Sequence, residues 1–431
     1  MTPSFWMKNS FAQHAIEWRK RFGKEATDVR HELFFLTAGR TRFSAGLRGV
    51  GALLRDIRLL LRKSQSLTET PQPQAILLST LEGASGWGTL ERSLSAVAAA
   101  GYRPVVLAHP RLSSDLFPSS LGIVRPARVD AATLLATLRV FVVNLVRSRP
   151  LVLASCVARR RLWQGSLRRT LTGSRGVLLL HNDFDMMSRS AIGLGLPAVC
   201  LQHGVPTDEF FPTNADWYLT WGGSSRRAFD AADSRSSQLI DDALGRETKA
   251  SHPLIAPDGL CLLSQTHAQV LGEGIEAALH DFADALLKIA PQARILLHPQ
   301  EGQSYTGSAA MATRRPPHPE LTPGARGSCL MMGYCSTAML EAAFAGHWVV
   351  ALQLRLDGNL PARSLLAAPL RAETAGQAVA LYHRLIGDAD FRREAAEAQR
   401  QWLKDSFCSQ PGGLQQLLQN IDVPSRAECR Q

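Results

Sequence analysis

Short apolar runs recur along most of this chain, each closing on a polar or glycine-bearing turn and followed by a stretch of helical period. The runs at 75–80, 104–108, 151–155, 177–180, 198–201 and 217–220 predict buried strands, and the patterns at 89–100, 131–147, 162–171, 185–193 and 224–232 predict helices between them. A polar stretch at 233–258 interrupts the pattern. It then resumes, with strands expected at 259–264, 295–297, 327–332 and 348–352 and helices at 273–289 and 338–345. Short apolar strands separated by helices predict an α/β fold with doubly wound parallel sheets. The one irregular stretch, 300–327, is rich in Pro, Gly, Ser and Arg and reads as a mobile loop beside the site.

A chain of 431 residues, 45% hydrophobic, exceeds one ordinary core, so two domains of about 200 residues are expected. The pattern divides it into a helical leader and linker (1–74), a first Rossmann-like domain (75–245) and a second (246–431). Seven scattered cysteines show neither metal-ligand spacing nor a disulfide framework, which points to a reducing cytoplasm. The net charge is +11. Part of it lies in 40–63, where Arg48, Arg55, Arg58 and Lys63 are interleaved with Leu47, Val50, Leu54 and Leu61 at helical spacing. Such a helix either lies on an anionic membrane surface or packs its apolar side on the first domain. Nucleic acid is not expected as a partner, because no recognition-helix, zinc-finger or RNA-binding motif accompanies the arginines.

Three strand ends carry the candidate chemistry, since open α/β sheets bind ligands at the carboxyl ends of their strands. The first is Gln202-His203-Gly204. The second is His298-Pro299. The third is the Ser336-Thr337 pair that follows Gly333 and opens a helix, where hydroxyls and unpaired amides favour an anion. Glu341 lies one turn further along that helix and faces the same side as Thr337. Ser264 and Gln265 end another strand of the same half as His298 and Ser336. Glu82 ends the first strand and opens a glycine loop containing Gly83 and Gly86, read as acceptor-facing together with Gln202 and Gly204. Asp183 and Asp185, at a further strand end, compete with Glu82 for the role of base, and His203 stands behind all three.

The order of His298-Pro299, then Ser336-Thr337 and Glu341, resembles the His-Pro and paired-Ser motifs of bacterial GT-B sialyltransferases and polysialyltransferases. Gln202-His203-Gly204, with Asp216 to Gly222 downstream, resembles capsule Kdo transferases and CDP-glycerol glycerophosphotransferases. The resemblance implies a GT-B glycosyltransferase of bacterial surface polysaccharide synthesis, with two Rossmann-like domains facing across a cleft. It implies that Ser336 and Thr337 hold the donor phosphate and that His298 assists its departure. In place of the family's paired acids this chain has Leu81 before Glu82. The donor implied is a nucleotide-activated sugar, a CMP-linked nonulosonate of sialic acid or Kdo type in preference to a CDP-polyol. The acceptor implied is a lipid-linked glycan at the inner membrane, approached by a cytoplasmic, peripheral enzyme. No cofactor is expected. No metal is expected either, Asp183 and Asp185 being the one pair spaced to hold Mg²⁺. A non-catalytic protein retaining the same shell is the reading from a different class.

Overall fold

The computed structural model describes residues 10–62, 72–81, 84–232, 237–245, 255–265, 270, 274–298, 301, 305–321, 327–354, 368–408 and 411–421. The leader forms helices α1 (Phe11–Phe22), α2 (Lys24–Asp28), α3 (Arg30–Thr37) and α4 (Arg42–Leu60). The first domain follows with β1 (Gln74–Ser79), α5 (Ala84–Glu91), α6 (Leu94–Ala99), β2 (Arg103–Ala108), β3 (Gly122–Val124), α7 (Ala131–Val146), α8 (Leu151–Leu171) and β4 (Gly176–Leu180). It continues through α9 (Met186–Ala191), β5 (Ala198–Leu201), β6 (Trp217–Thr220), α10 (Gly223–Ala231) and β7 (Gln238–Asp241). Its seven strands are parallel, in the order β3-β2-β1-β4-β5-β6-β7. The central strands β1, β4 and β5 are buried at every position, as the apolar runs at their centres require.

The second domain holds β8 (Gly259–Leu263), α11 (Ile275–Ile289), β9 (Arg294–Leu296), α12 (Gly307–Ala312), β10 (Thr313–Arg314), β11 (Cys329–Gly333), α13 (Thr337–Phe344), β12 (Trp348–Leu352) and β13 (Leu370–Ala372). These six strands are also parallel, in the order β10-β9-β8-β11-β12-β13. Helices α14 (Ala375–Gly387), α15 (Ala389–Ser406) and α16 (Gly413–Asn420) close the chain's described part. Both sheets therefore have the Rossmann-like order, with chain direction diverging between β1 and β4 in one and between β8 and β11 in the other.

Three expectations need correction. Residues 151–155 are the first turns of α8, not a strand; Val152 to Ser155 are buried there as they would be in a strand, and over so short a run periodicity cannot separate the two. The polar interruption contains β7, a partly exposed edge strand whose only apolar residues are Leu239 and Ile240, too short a run to stand out in the sequence. The irregular stretch contains α12 and the short edge strand β10.

The leader is built into the first domain. Along α4, Ala45, Gly49, Ala52, Leu53 and Leu60 are buried, and Gly49 brings the helices close, since a Cβ there would stand 3.1 Å from that of Ser155 on α8. Asp56 Oδ2 accepts from Arg159 Nε and from Trp163 Nε1, both at 2.9 Å and both out of water. At the other end of the chain α16 returns to the first domain, where Tyr102 Oη donates to the Leu418 carbonyl at 3.0 Å and Leu414 N–H to Asp242 Oδ2 at 2.8 Å.

Candidate functional site

Strand ends at a point of divergence splay their loops apart and leave a crevice. In the first sheet that point lies between β1 and β4, and His181 sits on it. Its Nε2 lies 3.0 Å from Thr80 Oγ1 and 3.4 Å from Thr80 N, tying the two strand ends together. Gly86, in the first turns of α5, lies against the ring, for a Cβ there would come within 2.8 Å of His181 Cε1. Any larger residue at 86 would drive α5 off the imidazole. Glu82 and Gly83 lie outside the described residues.

His203 is half-buried at the end of β5. Its ring stacks on Phe210 at 5.0 Å and 9° and meets His181 edge-on at 6.0 Å and 88°. The Phe210 loop is held by the leader: buried Arg30 of α3 donates to the Glu209 and Pro212 carbonyls at 3.2 and 3.0 Å. Burial lowers the Arg30 pKa to about 10, so the guanidinium remains charged at neutral pH. Gln202 braces the same turn. Its amide nitrogen donates to the Gly204 carbonyl at 2.9 Å and to Ser225 Oγ at 2.8 Å, and its oxygen accepts from Trp221 N–H at 2.8 Å. With both donors engaged, Gln202 positions His203 and Gly204 from below.

The two aspartates have different surroundings. Asp183 is fully buried and accepts the backbone N–H groups of Asn214 and Ala215. Burial raises its pKa, opposed by those hydrogen bonds and by Arg30. Asp185 caps α9, accepting Ser188 N–H at 2.8 Å and Asn182 Nδ2 at 3.0 Å. Among the described residues no cluster of three His, Cys, Asp or Glu side chains is arranged to hold a metal ion.

Sequence reasoning missed one carboxyl group here, because it arrives from the leader. Glu32 of α3 lies beside Asp185, and its Oε2 is buried with no hydrogen-bond partner. Burial and the Asp185 charge push its pKa up to about 7, with Arg159 pulling the other way. A carboxyl with a raised folded pKa binds its proton more tightly in the native state. Stability is then greatest below the unfolded carboxylate range and falls as pH rises to about 7. Replacing Glu32 by Gln should flatten that decline, worth roughly 1–3 kcal/mol between pH 4.5 and 7.5. Urea midpoints of both proteins across that range test this, and parallel curves would remove Glu32 as the titrating group.

In the second domain Glu301 organises the strand ends. Its Oε1 accepts from Ser264 Oγ at 2.7 Å, its Oε2 from His298 N–H at 3.1 Å, and Ser264 Oγ lies 3.0 Å from Tyr305 Oη. His298 is thus fixed in its backbone and half-buried in its side chain. Pro299 lies outside the described residues. Next to Ser264, both amide atoms of Gln265 are buried with no hydrogen-bond partner among the described residues. Ser336 is the N-cap of α13, its Oγ accepting Ala338 N–H at 3.2 Å, and Glu341 on the same helix is exposed.

The two domains meet at these strand ends. Val205 N–H donates to Thr337 Oγ1 at 3.2 Å, and a Cβ on Gly204 would stand 3.3 Å from the same oxygen. Burial, then Cys335 and then Asp208 of the loop after His203 raise the pKa of Tyr334, just ahead of α13. The His-Gly turn of one sheet therefore abuts the Ser-Thr helix start of the other. On a second side Phe11 and Phe34 of the leader pack on Val270 of the second domain. The structure brings together Gln202, His203, Gly204, Ser336 and Thr337. It groups Ser264, Gln265 and His298 on the second sheet, and Gly86, Asp183 and Asp185 on the first.

No family model matches the chain, and no curated protein does. Solved structures of similar arrangement include one titled trehalose-6-phosphate from E. coli bound with UDP-2-fluoro glucose, 10% identical, with 82% of this chain and 100% of that chain covered at a TM-score of 0.48. Another is a UDP-N-acetylglucosamine 2-epimerase from Listeria monocytogenes, 11% identical, covering 82% and 99% at 0.45. A third is an O-GlcNAc transferase mutant from Thermobaculum terrenum, 14% identical, covering 97% and 79% at 0.41. What the site does has to come from its own residues.

Proposed function

We propose that this protein is a GT-B glycosyltransferase, with the nucleotide-activated donor on the second domain and the acceptor on the first. The observation that carries the reading is the contact of Val205 with Thr337, which sets the carboxyl ends of two Rossmann-like sheets against each other. Ligand crevices of two such sheets then share one cleft. The amide of Gln265, buried with no partner among the described residues, supports the donor side, because a buried amide left without partners costs about 1–3 kcal/mol that a ligand's polar edge would recover.

In the transfer, the bond from the anomeric carbon to the donor phosphate breaks and its electron pair leaves with the phosphate. Ser336 and the start of α13 stabilise that charge, and His298 donates to it. The acceptor oxygen bonds to the anomeric carbon and gives up its proton. Among the described residues His203 is the group that reaches the cleft and can receive it; Glu82 is the competing base. Asp183 holds the 212–215 loop and Asp185 holds α9, so both act through structure. The preferred donor is a CMP-activated nonulosonate of sialic acid or Kdo type and the acceptor a lipid-linked surface glycan, with a CDP-polyol donor as the alternative. The enzyme would work in the cytoplasm at the membrane surface without a metal.

Calorimetric titration with CMP, CDP, UDP and TDP tests this directly. One nucleotide should bind, and replacing Ser336 and Thr337 together by Ala should weaken it by about 1–3 kcal/mol. If none binds, the shell is non-catalytic; if the double variant binds as tightly as the parent, the donor lies elsewhere.

A further inference from the structure

We infer that the outer faces of α4 and α7 together form a docking surface for an anionic lipid bilayer. Each helix buries one side against α8 and carries a second apolar stripe on the opposite side. On α7 the stripe is Leu135, Leu138, Val142 and Val146, exposed by 67, 59, 46 and 78%. On α4 it is Phe43, Leu47 and Leu54, exposed by 76, 54 and 61%. Single exposed apolar side chains are ordinary on any protein surface, but two such stripes, on helices that both pack on α8, are not. The helices are neighbours through α8, and Val129 N–H, just ahead of α7, donates to the Leu60 carbonyl at the end of α4 at 3.0 Å.

Charge identifies the occupant. Residues 131–146 contain no acid, and the one acid in 42–60, Asp56, is buried against Arg159. The solvent-facing charges beside the stripes, Arg48, Arg55, Arg58 and Arg139, are all cationic. A second copy of the same face would meet them with like charge. Anionic headgroups complement the arginines, while the leucines, valines and phenylalanine enter the boundary of the acyl region. Among the described residues no helix is long and apolar enough to cross a membrane, so attachment is to the surface. The buried seam of α4 and its exposed stripe thus serve the core and the bilayer at once. This goes beyond the transfer reading by naming the surface, and its test needs no donor or acceptor.

The full chain should float with phosphatidylcholine vesicles that contain phosphatidylglycerol and remain below vesicles of phosphatidylcholine alone. Leu138→Glu with Val142→Glu, and separately Phe43→Glu with Leu54→Glu, should each cut that partition by roughly tenfold or more, and added salt should weaken the parent's binding. Circular dichroism and nucleotide affinity should stay as in the parent, which separates this face from the transfer site. Absence of binding by the parent, equal binding to both vesicles, or unchanged binding by both double variants would overturn the inference. A dimer in light scattering that these variants dissociate would assign the face to a second copy instead.

Discussion

Asn in place of His203 should slow transfer by about 10²–10⁴ at saturating donor while nucleotide affinity stays within about twofold, because a proton acceptor earns its effect only as the acceptor oxygen attacks. His203 suits the role by geometry. It is only partly buried at the strand end, its ring is fixed by the Phe210 stack, and the turn beneath it is secured by Gln202. The comparison set is Glu82→Gln and Asp185→Asn. Turnover near that of the parent in His203→Asn, with Glu82→Gln inactive, moves the base to Glu82. Asp183→Asn should lose stability before it loses chemistry, since its carboxylate holds the amides of Asn214 and Ala215.

The largest stability effect is expected at Asp56. Removing its side chain leaves Arg159 without its buried countercharge and the Trp163 indole without an acceptor. Truncating one partner of a buried ion pair costs about 3–5 kcal/mol, so Asp56→Ala should lower the urea midpoint sharply at an unchanged slope. Asp56→Asn keeps an acceptor for Trp163 and should fall between the two. A loss below about 1 kcal/mol in Asp56→Ala would mean the pair behaves as a solvated surface bridge. It would also detach the leader's packing from the first domain's stability.

His181 shows why part of the site was out of reach of the sequence. It stands at a strand end just as His203 does, but its importance comes from β4 lying beside β1, and strand order is set by contacts between residues far apart in the chain. Gln202 was legible as a strand-end polar residue. A brace at this turn, bonding backbone groups, was legible too, but its partners Ser225 and Trp221 were not, because they come from the next strand's loop and helix. Glu32 and Arg30 sit in a helix whose sequence offers no sign of the crevice it covers. Asp185 was readable as a helix cap from local sequence alone, since its partner is Ser188, three residues on.

By itself the sequence determined the succession of strands and helices, the split into two parallel α/β halves and the strand ends that carry polar residues. These depend on local periodicity and on burial of short apolar runs, which are properties of neighbouring residues. Only the tertiary structure decided that 151–155 is helical, that the leader is clamped to the first domain by Asp56 and Arg159, and that Gly204 abuts Thr337. Each of those is a choice between conformations or partners that local sequence leaves nearly equal in free energy. Long-range packing and the pairing of buried charge make the choice.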